Sequence, residues 1–226
     1  MNEPNLRRDA AAENRSAIAH PDRLALWAFV MAVVAMVAAA ASANAGFSGG
    51  AATSASGCSA SELGSRVLKR GDCGEDVRTL NWILRSKRYA GVDLGDKFTD
   101  ATDSAVREFE RTGGIAADGV VEDETYAALV ESMAAQLATW YGPGFFGQKT
   151  ACGQRLTRRT VGVAHKSLPC GSKVVVRYEG RYLRTKVIDR GPFSNGAKWD
   201  LTQRAAELLG FETTDEIRVA TLAKRK

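Results

Sequence analysis

At 226 residues, 45% hydrophobic and 25% charged, the chain has room for two small domains and some extra segments. It is too short for one large multi-lobed enzyme, since a domain takes roughly 100 to 200 residues. The net charge of +5 conceals an uneven distribution: residues 47–135 hold 10 basic and 15 acidic side chains, and residues 136–226 hold 17 and 7. A basic C-terminal third favours a polyanionic partner. Its cations are spread through strand-like runs with no helix-turn-helix or zinc-finger pattern, which argues against nucleic acid.

The N-terminal segment reads first. Arg7, Arg8, Arg15 and Arg23 precede LALWAFVMAVVAMVAAAA, Leu24 to Ala41, eighteen residues without a charge, which just reaches the length of a membrane span. By the positive-inside rule, residues 1–23 form a cytoplasmic tail, residues 24–45 a single-pass anchor in the cell membrane, and everything after Gly46 lies outside. Ala43-Asn44-Ala45 also fits a small-x-small cleavage site, so the same segment reads alternatively as a signal peptide, with secretion after cleavage behind Ala45. Both versions export the rest of the chain. Residues 46–61, GFSGGAATSASGCSAS, have the composition of a flexible linker.

Export agrees with an even cysteine count. Four cysteines, Cys58, Cys73, Cys152 and Cys170, allow three pairings. Each candidate domain holds two, so Cys58 with Cys73 and Cys152 with Cys170 is the simplest choice, each loop stabilising by about 3 kcal/mol in the chain-entropy model. No CxxC spacing exists, and His20 and His165 are the only histidines, so neither a zinc site nor any other cofactor is expected.

Residues 62–135 read as helical. VRTLNWILRSKRY places Val77, Leu80, Ile83 and Leu84 on one apolar face. TDSAVREFERTG opens near Thr99 or Asp100 and ends at a Gly-Gly pair, with Ala105, Val106 and Phe109 inward. DETYAALVESMAAQ forms a third helix, starting at Glu122 or Asp123, with Tyr126, Leu129 and Val130 inward. The order of VLKRGDCGEDVRTLNWIL, KFTDATDSAVREFERTGGI and ADGVVEDETYAAL resembles the three-helix peptidoglycan-binding domain of many wall hydrolases. Two positions depart from that pattern: Asn81 and Glu110 stand where glutamine is usual.

From residue 136 to 226 the pattern changes to short alternating runs, LATWYG, TVGVAH, KVVVRYEG, YLRTKVID and EIRVATL, between glycine-rich turns. These are strand signals and imply a small barrel. One helix interrupts them, DLTQRAAELLG, with Leu201, Ala205, Leu208 and Leu209 apolar and Gly210 as its stop. The motifs ATWYGPGFFGQKTACGQRLT, VGVAHKSLPCGSKVVV, VIDRGPF and WDLTQRAAELLG, in that order, resemble the double-psi β-barrel of rare lipoprotein A proteins. The expected fold is therefore multidomain: an N-terminal membrane helix, a small three-helix peptidoglycan-binding domain, and a six-stranded double-psi β-barrel with one inserted helix.

What the resemblance implies is lytic transglycosylation of peptidoglycan glycan strands, cutting the β-1,4 bond after N-acetylmuramic acid and leaving a 1,6-anhydro end. The same barrel is similar to that of expansins, which loosen walls without clear hydrolysis, so a non-catalytic wall-binding module stays open beside the enzyme. Active relatives carry a glutamate where this chain has Gln154, and often an aspartate where it has Thr157. Their histidine matches His165, and two aspartates match Asp189 and Asp200, eleven positions apart.

Glycoside hydrolysis normally needs two carboxyls. A lytic transglycosylase needs fewer, because the muramic 6-hydroxyl, already held beside the anomeric carbon, is the nucleophile. One carboxyl, acting first as acid and then as base, suffices. Gln154 transfers no proton, so a catalytic chain must use Asp200 or Asp189, with His165 as an orienting group and Tyr141, Gln154 and Arg190 as sugar contacts. Phe145 and Phe146 are further stacking candidates. Each candidate also has a purely architectural reading. Asp200 precedes LTQRAAELLG with Gln203 three residues on, the arrangement of a capping box. Asp189 opens Asp-Arg-Gly-Pro, where a carboxylate bonds backbone N–H groups two residues on.

Overall fold

A computed structural model of the chain describes residues 58–193 and 196–222. The expected cytoplasmic tail, membrane segment and most of the linker lie outside the described residues. Among the described residues, no helix is long and apolar enough to cross a membrane.

Three helices come first: α1 (Glu75–Ser86), α2 (Asp100–Gly113) and α3 (Asp123–Glu131). The apolar face read from the sequence is the buried one. Val77, Leu80, Ile83 and Leu84 are fully buried and pack with Leu68, Phe98, Val106 and Leu129. The helix α2 opens at Thr99, whose hydroxyl and that of Thr102 each bond the other's backbone N–H, so two otherwise orphaned donors are satisfied. It ends at Gly114 in the left-handed conformation. Ahead of α1, the Cys58–Cys73 disulfide and the bonds Ser59 N–H to Cys73 O and Glu75 N–H to Ser59 O fasten the leading arm. Gly74 is required at that junction: its φ is +150°, and a Cβ there would lie 2.3 Å from the Ser59 carbonyl oxygen.

The two departures from the helical family pattern have structural work. Asn81 donates to the carbonyls of Gly95 and Lys97 and accepts from the Thr102 hydroxyl at 2.9 Å. Glu110, fully buried, accepts from Gly119 N–H and the Thr125 hydroxyl, each at 2.9 Å. Burial is the larger influence there and pushes its carboxyl above the usual range.

The third helix is shorter than its sequence suggests. It stops at Glu131, and Ala134 already begins β1 (Ala134–Tyr141). The helix-forming run MAAQ is overridden by a ladder, since Ala134, Ala135 and Gln136 pair with Val219, Arg218 and Ile217, and tertiary pairing outweighs a local propensity of under about 1 kcal/mol per residue.

The remaining elements are β2 (Val163–His165), β3 (Lys173–Tyr178), β4 (Arg181–Asp189), β5 (Trp199–Thr202), α4 (Gln203–Leu209) and β6 (Asp215–Leu222). The six strands close into a barrel in the order β1-β5-β2-β4-β3-β6. The pairs β1/β5 and β2/β4 are parallel and the rest antiparallel. Val163, Val174, Val176, Val187, Trp199, Leu201, Ile217 and Val219 fill its core.

The helix read over DLTQRAAELLG starts only at Gln203. Leu201 belongs to β5 and points into the barrel core, not onto a helix face, and Leu208 is exposed. The cap of α4 is Thr202, whose hydroxyl accepts from Ala205 N–H. Asp200, two residues earlier, lies in the strand and is not the helix cap.

Helices and barrel share one hydrophobic cluster: Val175 of β3 and Ala220 of β6 are buried among the helical core residues. Arg184 of β4 donates to the Glu75 carbonyl and pairs with the Glu75 carboxylate, and Arg218 of β6 forms two bonds to Glu131 at 2.8 and 3.0 Å. The Tyr182 hydroxyl donates to that of Tyr126.

Candidate active site

Asp189 and Asp200 reach the same place because both are register partners of Ala164. Asp200 faces it across antiparallel β5, and Asp189 across parallel β4. A bulge between Val163 and Ala164 shifts the β2/β4 ladder at this point, a device that re-aims side chains beside sites. With strands about 4.8 Å apart, the two aspartate backbones stand about 10 Å apart. The methyl of Ala164 between them leaves the space open. The result is a cavity of about 310 Å³ lined by Tyr141, Thr150, Ala164, Asp189, Arg190 and Asp200, with Phe145 and Phe193 at its exposed margin.

The two carboxylates are held differently. Asp189 is an acceptor on both oxygens: Oδ1 takes the N–H groups of Ala151 and Arg190, each at 2.8 Å, and Oδ2 takes the Tyr141 hydroxyl at 3.3 Å. Its backbone bond is to the next residue and to a loop across the cavity, instead of to the turn two residues on. Asp200 accepts one side-chain bond, from Thr139 Oγ1 at 2.9 Å. Burial, opposed by that hydrogen bond and assisted by the neighbouring Asp189 charge, pushes Asp200 up to about 6. Desolvation dominates because it acts on the buried charge directly. Burial, then Asp189, raise the Tyr141 hydroxyl well above its ordinary value, so it stays a donor.

Other candidates fall elsewhere. The His165 ring packs on Trp199 with centroids 4.5 Å apart, and its Nδ1 accepts from the N–H groups of Ser167 and Leu168 at 3.2 and 3.1 Å. It makes no hydrogen bond to either aspartate, so its expected orienting role finds no geometry here. Its strand partner is Trp199, one residue along from Asp200, and alternation turns adjacent residues to opposite faces. Burial first, then Arg190, Lys198 and Lys166, lower its basicity. Gln154 does not line the cavity; its carbonyl accepts from Thr150 N–H. Arg190 and Tyr141 do line it, whereas Phe146 lies under the Arg158 guanidinium.

Thr150 is the residue the sequence reading missed. It is 6% exposed and lines the cavity, and among the described residues its hydroxyl has no hydrogen-bond partner. A buried hydroxyl left unpaired costs free energy unless a ligand bonds it. Its signal in the sequence is the run TACGQ, in which it stands four positions before Gln154. The loop carrying Thr150 and Ala151 is fastened by the Cys152–Cys170 disulfide, the pairing expected from the sequence. Among the described residues no cluster of histidine, cysteine or carboxylate side chains is arranged to hold a metal ion.

Comparison with known proteins agrees with both parts of the fold. Residues 133–221 match the family model described as "Lytic transglycolase", and residues 73–129 that described as "Putative peptidoglycan binding domain". The chain is 36% identical over 96 residues to the "Probable endolytic peptidoglycan transglycosylase RlpA" of Synechocystis sp., covering 42% of this chain and 30% of that protein. It is 42% identical over 80 residues to the "Endolytic peptidoglycan transglycosylase RlpA" of Rickettsia felis, covering 33% and 35%. The match to the Aquifex aeolicus relative, named like that of Synechocystis, is 43% over 76 residues, covering 33% and 34%. The chain thus spans about a third of the length of the curated relatives it matches.

Proposed function

We propose that this chain, an RlpA-like double-psi β-barrel behind a peptidoglycan-binding helical domain, is an exported wall protein that cleaves peptidoglycan glycan strands by lytic transglycosylation. The observation that carries the proposal is the cavity shared by a burial-raised Asp200 and the acceptor-only Asp189. A glycosidic oxygen must receive a proton as it leaves, and an acid whose pKa lies near 6 is both protonated and willing to give its proton in mildly acidic to neutral water.

In the reaction Asp200 donates its proton to the β-1,4 glycosidic oxygen as the bond from the muramic C1 breaks. The positive charge developing at C1 is stabilised by the Asp189 carboxylate, which Tyr141, Ala151 N–H and Arg190 N–H hold in place. Asp200, now a carboxylate, takes the proton of the muramic 6-hydroxyl, whose oxygen closes on C1. Atoms balance without water: one C–O bond breaks, another forms, and the acid is regenerated. Thr150 and Arg190 bond the sugar, and Phe145 offers an apolar face at the margin. His165 supports the site through Trp199.

We further propose that residues 24–45 hold the protein in the cell membrane as a single-pass anchor, or that the protein is secreted once cleaved behind Ala45. The helical domain then keeps the barrel on its substrate.

The second reading, a wall-binding module of expansin type, draws on Gln154 standing at the position of the relatives' glutamate. Digestion of purified glycan strands with the full-length chain separates the two. Soluble fragments released by the wild type and lost in Asp200→Asn support the enzyme. Wall binding with no release supports the module.

A further inference from the structure

The basic excess of the C-terminal third reaches the cavity itself, whose charged lining residues are Asp189, Asp200, Lys149 and Arg190. Both Asp189 oxygens are taken by Tyr141 and the N–H groups of Ala151 and Arg190, and the side-chain bond on Asp200 comes from Thr139. Among the described residues, neither Lys149 nor the Arg190 guanidinium is ion-paired. That guanidinium donates to the Asp189 carbonyl, at 3.4 Å. Lys149 is exposed and sits on a hairpin closed by Gly147 N–H to Leu156 O and Leu156 N–H to Gln148 O. Its partner across the hairpin is Arg155. Like charges directly opposite repel, so the hairpin supplies Lys149 with no balancing charge. The next residue is Thr150, whose buried hydroxyl is also unpaired among the described residues. One loop, fastened by the Cys152–Cys170 disulfide, thus brings Lys149 and Thr150 to the same cavity.

The hydroxyl and acetamido groups of a sugar need donors and acceptors of the kind that Thr150 and Tyr141 supply. Two unbalanced cations match something further, a negative charge carried by the sugar itself. In a strand of alternating N-acetylglucosamine and N-acetylmuramic acid, the only ionisable group on either ring is the carboxyl of the lactyl ether on muramic O3. We propose that Lys149 and Arg190 determine specificity for an acidic sugar: they hold the lactyl carboxylate of the muramic residue whose C1 lies between Asp200 and Asp189. The identity of that sugar rests on the function proposed above. Without the two cations, the carboxylate would enter beside the Asp189 charge and be repelled. An N-acetylglucosamine ring in the same place would leave both cations unmatched, so the bond after the acidic ring is the one selected.

A cycle that combines Lys149→Gln with chemical reduction of the strand carboxyls to alcohols tests the pairing. With the full-length chain, release from purified glycan strands gives KM and kcat, and calorimetry in an Asp200→Asn background gives binding while the strands stay intact. Lys149→Gln should raise KM for native strands about tenfold with little change in kcat, the worth of a charge-assisted hydrogen bond. Carboxyl reduction should raise the wild-type KM at least as much, and Lys149→Gln should add little on the reduced strands. Lys149→Arg should keep the wild-type KM, and salt should weaken binding of native strands and hardly that of reduced ones. Equal affinity of the wild type for native and reduced strands overturns the proposal, as does a loss in Lys149→Gln that is just as large on reduced strands. Affinity that depends on the carboxylate but not on Lys149 overturns it as well. The two readings fail separately: carboxylate-dependent binding lost in Lys149→Gln, with no release by the wild type, overturns only the enzyme, and release indifferent to the carboxylate overturns only the specificity.

Discussion

Thr139 Oγ1 donates to Asp200 Oδ1 at 2.9 Å, and the two residues are register partners on the parallel strands β1 and β5. The bond stabilises the ionised form of Asp200 and so opposes burial, which dominates. Thr139 therefore sets how far the acid is raised. In Thr139→Val the opposing influence is gone, and the Asp200 pKa should rise further. The alkaline limb of the pH profile for glycan release should move to higher pH while maximal release is kept, as measured by soluble product across pH 5 to 9. A merely structural role for Thr139 would lower release at every pH without moving the limb.

Asp200 itself should cost stability at neutral pH. Its folded pKa is raised above the unfolded value, so the folded state binds more protons between about pH 4 and 6, and stability from this group is lost as pH rises through that window. Asp200→Asn removes the ionisation. Thermal melts should show the variant gaining stability relative to wild type at pH 8 and gaining little at pH 4, while glycan release falls by at least about a hundredfold.

Thr150 is buried, and its hydroxyl has no partner among the described residues, so it should matter to substrate and not to the fold. Thr150→Val keeps shape and volume and removes a polar atom whose burial is unfavourable. The expected outcome is equal or higher melting temperature with a KM for glycan strands raised about tenfold, a hydrogen bond's worth of binding. Unchanged KM would remove Thr150 from the substrate contacts.

The Cys152–Cys170 bond fastens the loop whose Ala151 N–H holds Asp189. Cys152→Ser/Cys170→Ser should lose about 3 kcal/mol of stability by the loop-entropy argument. It should also lose release beyond what unfolding explains, because Asp189 loses one of its backbone donors. Denaturant melts and release assays at a temperature where both proteins are folded separate the two effects.

Much of this was legible in the sequence where period and punctuation agreed. The buried stripe of α1, the Thr99 start and Gly114 stop of α2, both cysteine pairs and the strand runs all appear as read. Boundaries failed where long-range pairing decides: MAAQ looks helical until Ile217 and Val219 pair with it, and WDLT looks like a helix start until β1 and β2 flank it. The second error misassigned Asp200 as a cap, although its position two residues before Thr202 gave the right chain location. The convergence of Asp189 and Asp200 on Ala164 is a product of barrel closure, and no local pattern encodes it. Gln154 and His165 were singled out by resemblance; their side chains are directed by loop backbone and by strand alternation, which a motif does not record.

If Asp200 drives strand cleavage with the sugar's own hydroxyl as nucleophile, no oxygen from water enters the product. Digesting purified glycan strands with the full-length chain in ¹⁸O-enriched water, with the new ends read by mass spectrometry, should yield 1,6-anhydromuramyl ends without label, absent in Asp200→Asn. Labelled reducing ends, or intact strands beside undiminished wall binding, would contradict that mechanism.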